Sequence, residues 1–140
     1  MSGRRRTWGE EEPEPPHVWH TLGYRHVERG EGSVAIEWDA TEDYVFRDPS
    51  GPIVHGGLVA TLLDTAMGGA AWTVMGEAES FLTADLRVEF FRSARPGRLR
   101  ADGRVVQRTR RIVFCAAELV DSGGAVLAAS RCTQIVRSDV

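Results

Sequence analysis

Between Leu22 and Trp38 the pattern of apolar and polar positions, with Val34, Ile36 and Trp38 alternating against polar neighbours, predicts two short strands meeting at Arg29-Gly30-Glu31-Gly32. The run Gly30-Glu31-Gly32-Ser33-Val34-Ala35 has the glycine spacing of a dinucleotide fingerprint, but a period of two comes after it, so the glycines read as a hairpin turn. Residues 39–54, rich in Asp, Pro, Gly and Ser, read as a loop. From Gly56 to Met75 the period changes. Leu58, Leu62, Ala66, Ala70 and Val74 form one i+4 column and Val59, Leu63, Met67, Ala71 and Met75 the next, which predicts a helix roughly 30 Å long with a wide apolar face. The opposite side carries Gly57, Ala60, Asp64, Gly68 and Ala71, nearly all small, so close cover on both sides is expected, with one carboxylate in the second contact.

Strand patterns return after the helix. Leu82, Ala84, Leu86, Val88 and Phe90 alternate with Thr83, Asp85, Arg87 and Glu89, which assigns Thr83 to the polar face. Leu99, Ala101 and Val105 alternate with arginines, and two more apolar runs, residues 112–120 and 126–136, are joined at Asp121-Ser122-Gly123-Gly124. Two strands, one long helix and four strands make an α+β chain in which about six antiparallel strands wrap a single helix. At 140 residues one domain is expected, over residues 17–140. Residues 1–16, with Arg4, Arg5 and Arg6, an acidic run and three prolines, read as a disordered tail.

Composition narrows the function. The 17 basic residues are all Arg, against 20 acidic residues, so the net charge of -3 gives no general attraction to a phosphate backbone, and no nucleic-acid partner is expected. The absence of Lys and Asn excludes Schiff-base and P-loop lysines and an asparagine oxyanion donor. Cys115 and Cys132 lie in apolar runs without CxxC spacing and read as reduced core residues. No segment has a signal-peptide or membrane-span pattern, which predicts a cytoplasmic protein with no membrane partner. His17 and His20 have no acidic or Cys companion at ligand spacing, so no metal and no cofactor is expected.

One segment carries chemistry. The sequence Val54-His55-Gly56-Gly57-Leu58-Val59-Ala60-Thr61-Leu62-Leu63-Asp64-Thr65-Ala66 resembles the signature helix of the PaaI-like hot-dog thioesterases. Thr83-Ala84-Asp85-Leu86-Arg87-Val88-Glu89-Phe90 and Ala94-Arg95-Pro96-Gly97 also resemble that family. The likeness spans roughly residues 20–137 and implies a hot-dog fold and an acyl-CoA thioesterase. By that resemblance the Gly56 amide is the oxyanion donor, Asp64 the base or nucleophile, and Thr83 the residue beside the carboxylate that orients water. His55 and Gly57 fall at the substrate-binding turn, and Arg92, Arg110 and Arg111 are candidates for the phosphates of coenzyme A.

Physical chemistry gives the same roles a basis. Amides at a helix N-terminus have no intrahelical partner and sit at the positive end of the dipole, so Gly56 can meet a developing oxyanion while glycine lets the substrate come close. Thioester hydrolysis needs such a donor and a carboxylate that activates water or attacks directly. Eight residues at ~1.5 Å each put Gly56 and Asp64 ~12 Å apart along one helix. The resemblance implies that two chains share the site, hence a homo-oligomer, a dimer or a dimer of dimers. Pro49 stands where the family often has Asn, leaving open whether Asp48 or Ser50 substitutes or the contact is missing. Met67, Trp72, Met75 and Phe81 are candidates to bound an acyl pocket. Two other readings are an acyl-CoA-binding sensor on the same fold and a hot-dog hydroxyacyl-thioester dehydratase using His55 with Asp64.

Overall fold

In the computed structural model, which describes residues 17–138, the period-two segments form one antiparallel sheet and the period-3.6 segment forms the helix packed against it. The elements in chain order are α1 (His17–Leu22), β1 (Arg25–Gly30), β2 (Ser33–Ala40), a 3-10 turn (Glu42–Tyr44), β3 (Val45–Asp48), β4 (Gly51–Val54), α2 (Gly56–Trp72), β5 (Glu79–Phe90), β6 (Gly97–Arg108), β7 (Ile112–Asp121) and β8 (Val126–Ser138). The six-stranded sheet runs β1-β2-β6-β7-β8-β5. This is the expected α+β hot-dog architecture. The tail expected over residues 1–16 lies outside the described residues.

Three features depart from the sequence pattern. The segment read as a loop contains the β3–β4 hairpin, whose four-residue strands are too short to show a period and turn at Pro49-Ser50-Gly51, with Gly51 in the left-handed region at φ 116°. Helix α2 ends at Trp72, because the Val74 and Met75 N–H groups reach carbonyls only three residues back and Arg108 takes the Val74 carbonyl at 2.6 Å. Met75 is still fully buried, so its apolar column runs past the helix itself. Finally, among the described residues the small-residue side of α2 is only partly covered: Gly57 is exposed and Ala60, Asp64 and Gly68 are half-buried.

The other side of α2 makes the core. Leu62, Leu63, Ala66 and Met67 are fully buried against Ile36, Trp38, Leu99, Val113 and Leu119 of the sheet, each large apolar side chain contributing about 1.5–3 kcal/mol relative to exposure. Helix and sheet backbones touch at Gly103 of β6, where any Cβ would run into the Ala66 carbonyl. Cys115 and Cys132 stand directly opposite on β7 and β8, both buried free thiols. The helix barely reaches β5, a strand of 12 residues that among the described residues pairs only with β8. Leu86 and Phe90, on the helix-side face of β5, are therefore 41% and 55% exposed.

Candidate active site

Two backbone bonds set the entry to α2: the Val54 N–H donates to Ala94 O at 2.8 Å and the His55 N–H to Tyr44 O at 3.1 Å. His55 caps the helix without a side-chain bond, and its carbonyl accepts from Leu58 and Val59 at 3.0 and 3.2 Å. Among the described residues the Gly56 and Gly57 amides have no acceptor, which leaves two donors at the positive end of a 17-residue helix. Gly57 has nothing within 4 Å of where a Cβ would stand, and at Gly56 a Cβ would stand 3.3 Å from the Phe90 ring. Gly56 lines a cleft of about 350 Å³ with Phe46, Ile53, Phe90, Phe91 and Arg92. The His55 ring packs against Phe46 at a tilt of 51°, centroids 5.4 Å apart, and is exposed.

Two turns along α2, Asp64 faces a second cleft, about 380 Å³, with Thr61, Gly68, Trp72, Phe81 and Thr83. Burial raises its carboxyl above the ordinary carboxylate range, and the neighbouring Thr83 hydroxyl opposes that shift to the extent that it donates to the carboxylate. Strict alternation put Thr83 on the polar face with Asp85 and Arg87. The structure corrects this: Thr83 pairs with Gln134 and Asp85 with Thr133, so Ala84 is an extra residue that bulges out and turns Thr83 to the helix side. Thr83 donates to Gln134 Oε1 at 2.9 Å.

The chain thus brings Asp64 and Thr83 together and keeps them from Gly56, which opens into a different cleft. Arg92 joins Gly56, while Arg110 and Arg111 sit exposed at the β6–β7 turn, where the Arg111 carbonyl accepts from Val136, close to the Phe81–Val136 pairing and remote from Arg92. At Pro49 the flanking side chains are committed elsewhere: the Asp48 carboxylate accepts from the Ser50 N–H at 2.9 Å and from its hydroxyl, and Arg95 donates to Ser50 Oγ at 3.1 Å. Met67 and Met75 belong to the core, so of the four residues expected to bound an acyl pocket only Trp72 and Phe81 line a cleft. The aromatic wall of Phe46, Phe90 and Phe91 was not foreseen; its one signal was the exposed-strand position of Phe90-Phe91 after the alternating run. Among the described residues no three His, Cys, Asp or Glu side chains gather at metal-ligating distance, and no helix is long and apolar enough to cross a membrane.

Residues 51–128, more than half of the chain, match the family model described as the thioesterase superfamily. The chain belongs to the thioesterase superfamily. Solved members and fold neighbours agree. A thioesterase family protein from Silicibacter pomeroyi is 27% identical, with 86% of this chain and 89% of that one covered at a TM-score of 0.78. A phenylacetic acid degradation-related protein from Ralstonia eutropha JMP134 is 27% identical, with 89% and 93% covered at 0.79. Thioesterase HI1161 from Haemophilus influenzae, 20% identical with 88% and 84% covered at 0.78, shares the fold. No curated protein matches the sequence. Within this superfamily member, the matched span includes both clefts' helical residues, Gly56 and Asp64, and the Thr83 bulge.

Proposed function

We propose that the protein is an acyl-CoA thioesterase whose hydrolytic centre forms between two copies of the chain, Gly56 of one facing Asp64 of the other. The observation that carries this reading is the separation of the two groups into different clefts on one rigid helix, ~12 Å apart, too far to act on one carbonyl. A second copy has a place to bind: the outer edge of the 12-residue strand β5 leaves the backbone groups of alternate residues free, and its inner face is apolar at Leu86 and Phe90. A two-fold axis there runs the helices antiparallel and sets one chain's Gly56 end beside its partner's Asp64 end.

In that arrangement the Gly56 amide donates to the thioester oxygen and stabilises the oxyanion that forms when water adds to the carbonyl carbon. Asp64 takes the water proton, and as the intermediate collapses the C–S bond breaks and coenzyme A leaves with that proton, giving a free acid and a thiol. The Thr83 hydroxyl beside Asp64 favours water as the attacking group over the carboxylate itself. Arg92, next to Gly56, is placed for an anionic substrate group, and Arg110 and Arg111 reach the same site only from the partner. The apolar clefts, walled by Phe46, Phe90 and Phe91 on one side and Trp72 and Phe81 on the other, suit an aromatic or medium-length acyl group, in keeping with the name of the Ralstonia eutropha relative. His55, exposed and tilted against the Phe46 ring, holds the turn and supports no dehydratase role.

The test is hydrolysis of a panel of acyl-CoAs read by thiol release. Wild type turns over at least one, and Asp64→Ala loses on the order of 10²–10⁴-fold in rate while still binding the substrate. Equal rates in the two proteins refute the assignment; tight binding by both without turnover favours the sensor.

A further inference from the structure

Gln134 has no exposed surface and stands on β8 among Val113, Cys115 and Cys132. A buried carboxamide is costly wherever its donors and acceptors lack partners, and an apolar residue of equal volume would fill the same space. The bonds it makes point to its use. Oε1 accepts the hydroxyl proton of Thr83 at 2.9 Å, and Nε2 donates to Sγ of Cys132 at 3.3 Å. In this orientation the carboxamide oxygen faces the Thr83 hydroxyl and its N–H faces the sulfur, a weak acceptor. Cys115, directly opposite Cys132, interacts with the same sulfur and backs this arrangement from β7.

A threonine hydroxyl has one proton and two lone pairs. With the proton on Gln134, only lone pairs remain for the Asp64 side of Thr83. The bulge at Ala84 makes the juxtaposition: without the extra residue Thr83 would point to the opposite face, out of reach of both Gln134 and Asp64.

We propose that Gln134 is a positioning residue of the hydrolytic centre: by holding the Thr83 proton it keeps the Thr83 oxygen an acceptor, so that an incoming water donates one proton to Thr83 and the other to Asp64 and turns its lone pair to the thioester carbon. This rests on the thioesterase reading above. As the new O–C bond forms, Asp64 receives the second proton and returns it to the departing thiolate, while Thr83 and Gln134 exchange none. Among the described residues the ionisable groups facing Asp64 are the Cys132 thiol of β8 with Cys115 of β7 behind it, and Asp85 of β5 acts on that thiol from the far face of the sheet. Helix α1 brings Val18 and Trp19, neither of which titrates.

The experiment places Gln134→Leu and Gln134→Met, the second more adaptable in a tight core, in wild-type and Thr83→Val backgrounds. Two readouts are taken: kcat and KM on the best acyl-CoA, and the titration midpoint of the Asp64 carboxyl by carbon-13 NMR, its resonance identified with Asp64→Asn. Either Gln134 variant is expected to lower kcat ~10-fold with KM nearly unchanged and to move the Asp64 midpoint down by about one pH unit, as the freed Thr83 hydroxyl turns to the carboxylate. In the Thr83→Val background the same replacements change neither readout. Thr83→Val alone decides the proton's place without touching Gln134: loss of a donor raises the Asp64 midpoint, loss of an acceptor does not. A midpoint that rises in Thr83→Val, or that Gln134 variants shift equally with and without the Thr83 hydroxyl, overturns the proposal. Failure of wild type to cleave any thioester would sink the thioesterase reading alone, since the titration needs no turnover.

Discussion

Mixing two inactive variants gives the sharpest test of a site shared between chains. Gly56→Pro removes the amide donor and little else: Pro suits the first helical position, the Gly56 N–H has no acceptor to lose, and His55, at φ -53° and ψ 129°, already has the extended backbone that a following proline requires. A Cβ here stands 3.3 Å from the Phe90 ring, which must give by a few tenths of an ångström to admit the proline. Alone, this variant is expected to lose about 10²–10³-fold in kcat and Asp64→Ala about 10²–10⁴-fold. After equimolar unfolding and refolding together, half of the dimers carry one chain of each kind. In each mixed dimer one site combines the intact Gly56 of the Asp64→Ala chain with the intact Asp64 of the other, and the second site lacks both. With half the dimers mixed and half their sites whole, thiol release recovers to about a quarter of the wild-type rate. Native mass spectrometry counts the mixed dimers. If they form and the rate stays at the level of the single variants, donor and acid do not act on one carbonyl across the interface.

The remaining expectations concern charge and packing. Because burial raises the Asp64 carboxyl, the acid limb of kcat/KM should lie above the ordinary carboxylate range. The same shift means the native state binds more protons than the unfolded chain between the two carboxyl midpoints, so this group's contribution to stability falls as pH rises through that window. Asp64→Asn should therefore melt above wild type at neutral pH and lose the advantage below the ordinary range; calorimetry against pH that shows no such convergence rejects it. Gly103→Ala forces a methyl onto the Ala66 backbone and should cost about 1–3 kcal/mol in urea unfolding, with an unchanged midpoint contradicting the packing. Arg108→Met strips Nη1 from the Val74 carbonyl at 2.6 Å and Nη2 from Glu79 at 2.7 Å, both half-buried, and should cost about 1–3 kcal/mol by the same measurement. Leu86→Glu places a charge on the inner face of β5 and should leave a monomer in light scattering; a retained dimer would move the interface elsewhere.

How much of this was legible in the sequence depended on whether a feature is a repeat or an exception. Periodicity placed the long helix and the strands β2, β5 and β6, because burial of one face imposes the period on composition, while the apolar runs of β7 and β8 and the turn after β1 placed the other three. It failed at Thr83, where one inserted residue, Ala84, reverses the face of everything on one side of it. Gln134 lies inside a run read only as apolar, and nothing in a linear pattern says that its carboxamide, 51 positions away, will accept from the Thr83 hydroxyl. Phe46 was lost in a segment whose strands are four residues long, too short for any period to register.

The spacing of Gly56 and Asp64 is of another kind, since it is legible and cannot be altered by the rest of the fold. A helix is stiff over two turns, and α2 is clamped along its length by Leu62, Leu63, Ala66 and Met67 against the sheet, so no loop movement shortens the ~12 Å between the amide and the acid. Each chain therefore exposes two half-equipped clefts. One has unpaired amides, an aromatic wall and Arg92 but no acid; the other has the acid and Thr83 but no oxyanion donor. On the proposed mechanism the two sets of groups are complementary, and a neighbour running in the opposite direction along β5 would supply to each cleft what it lacks.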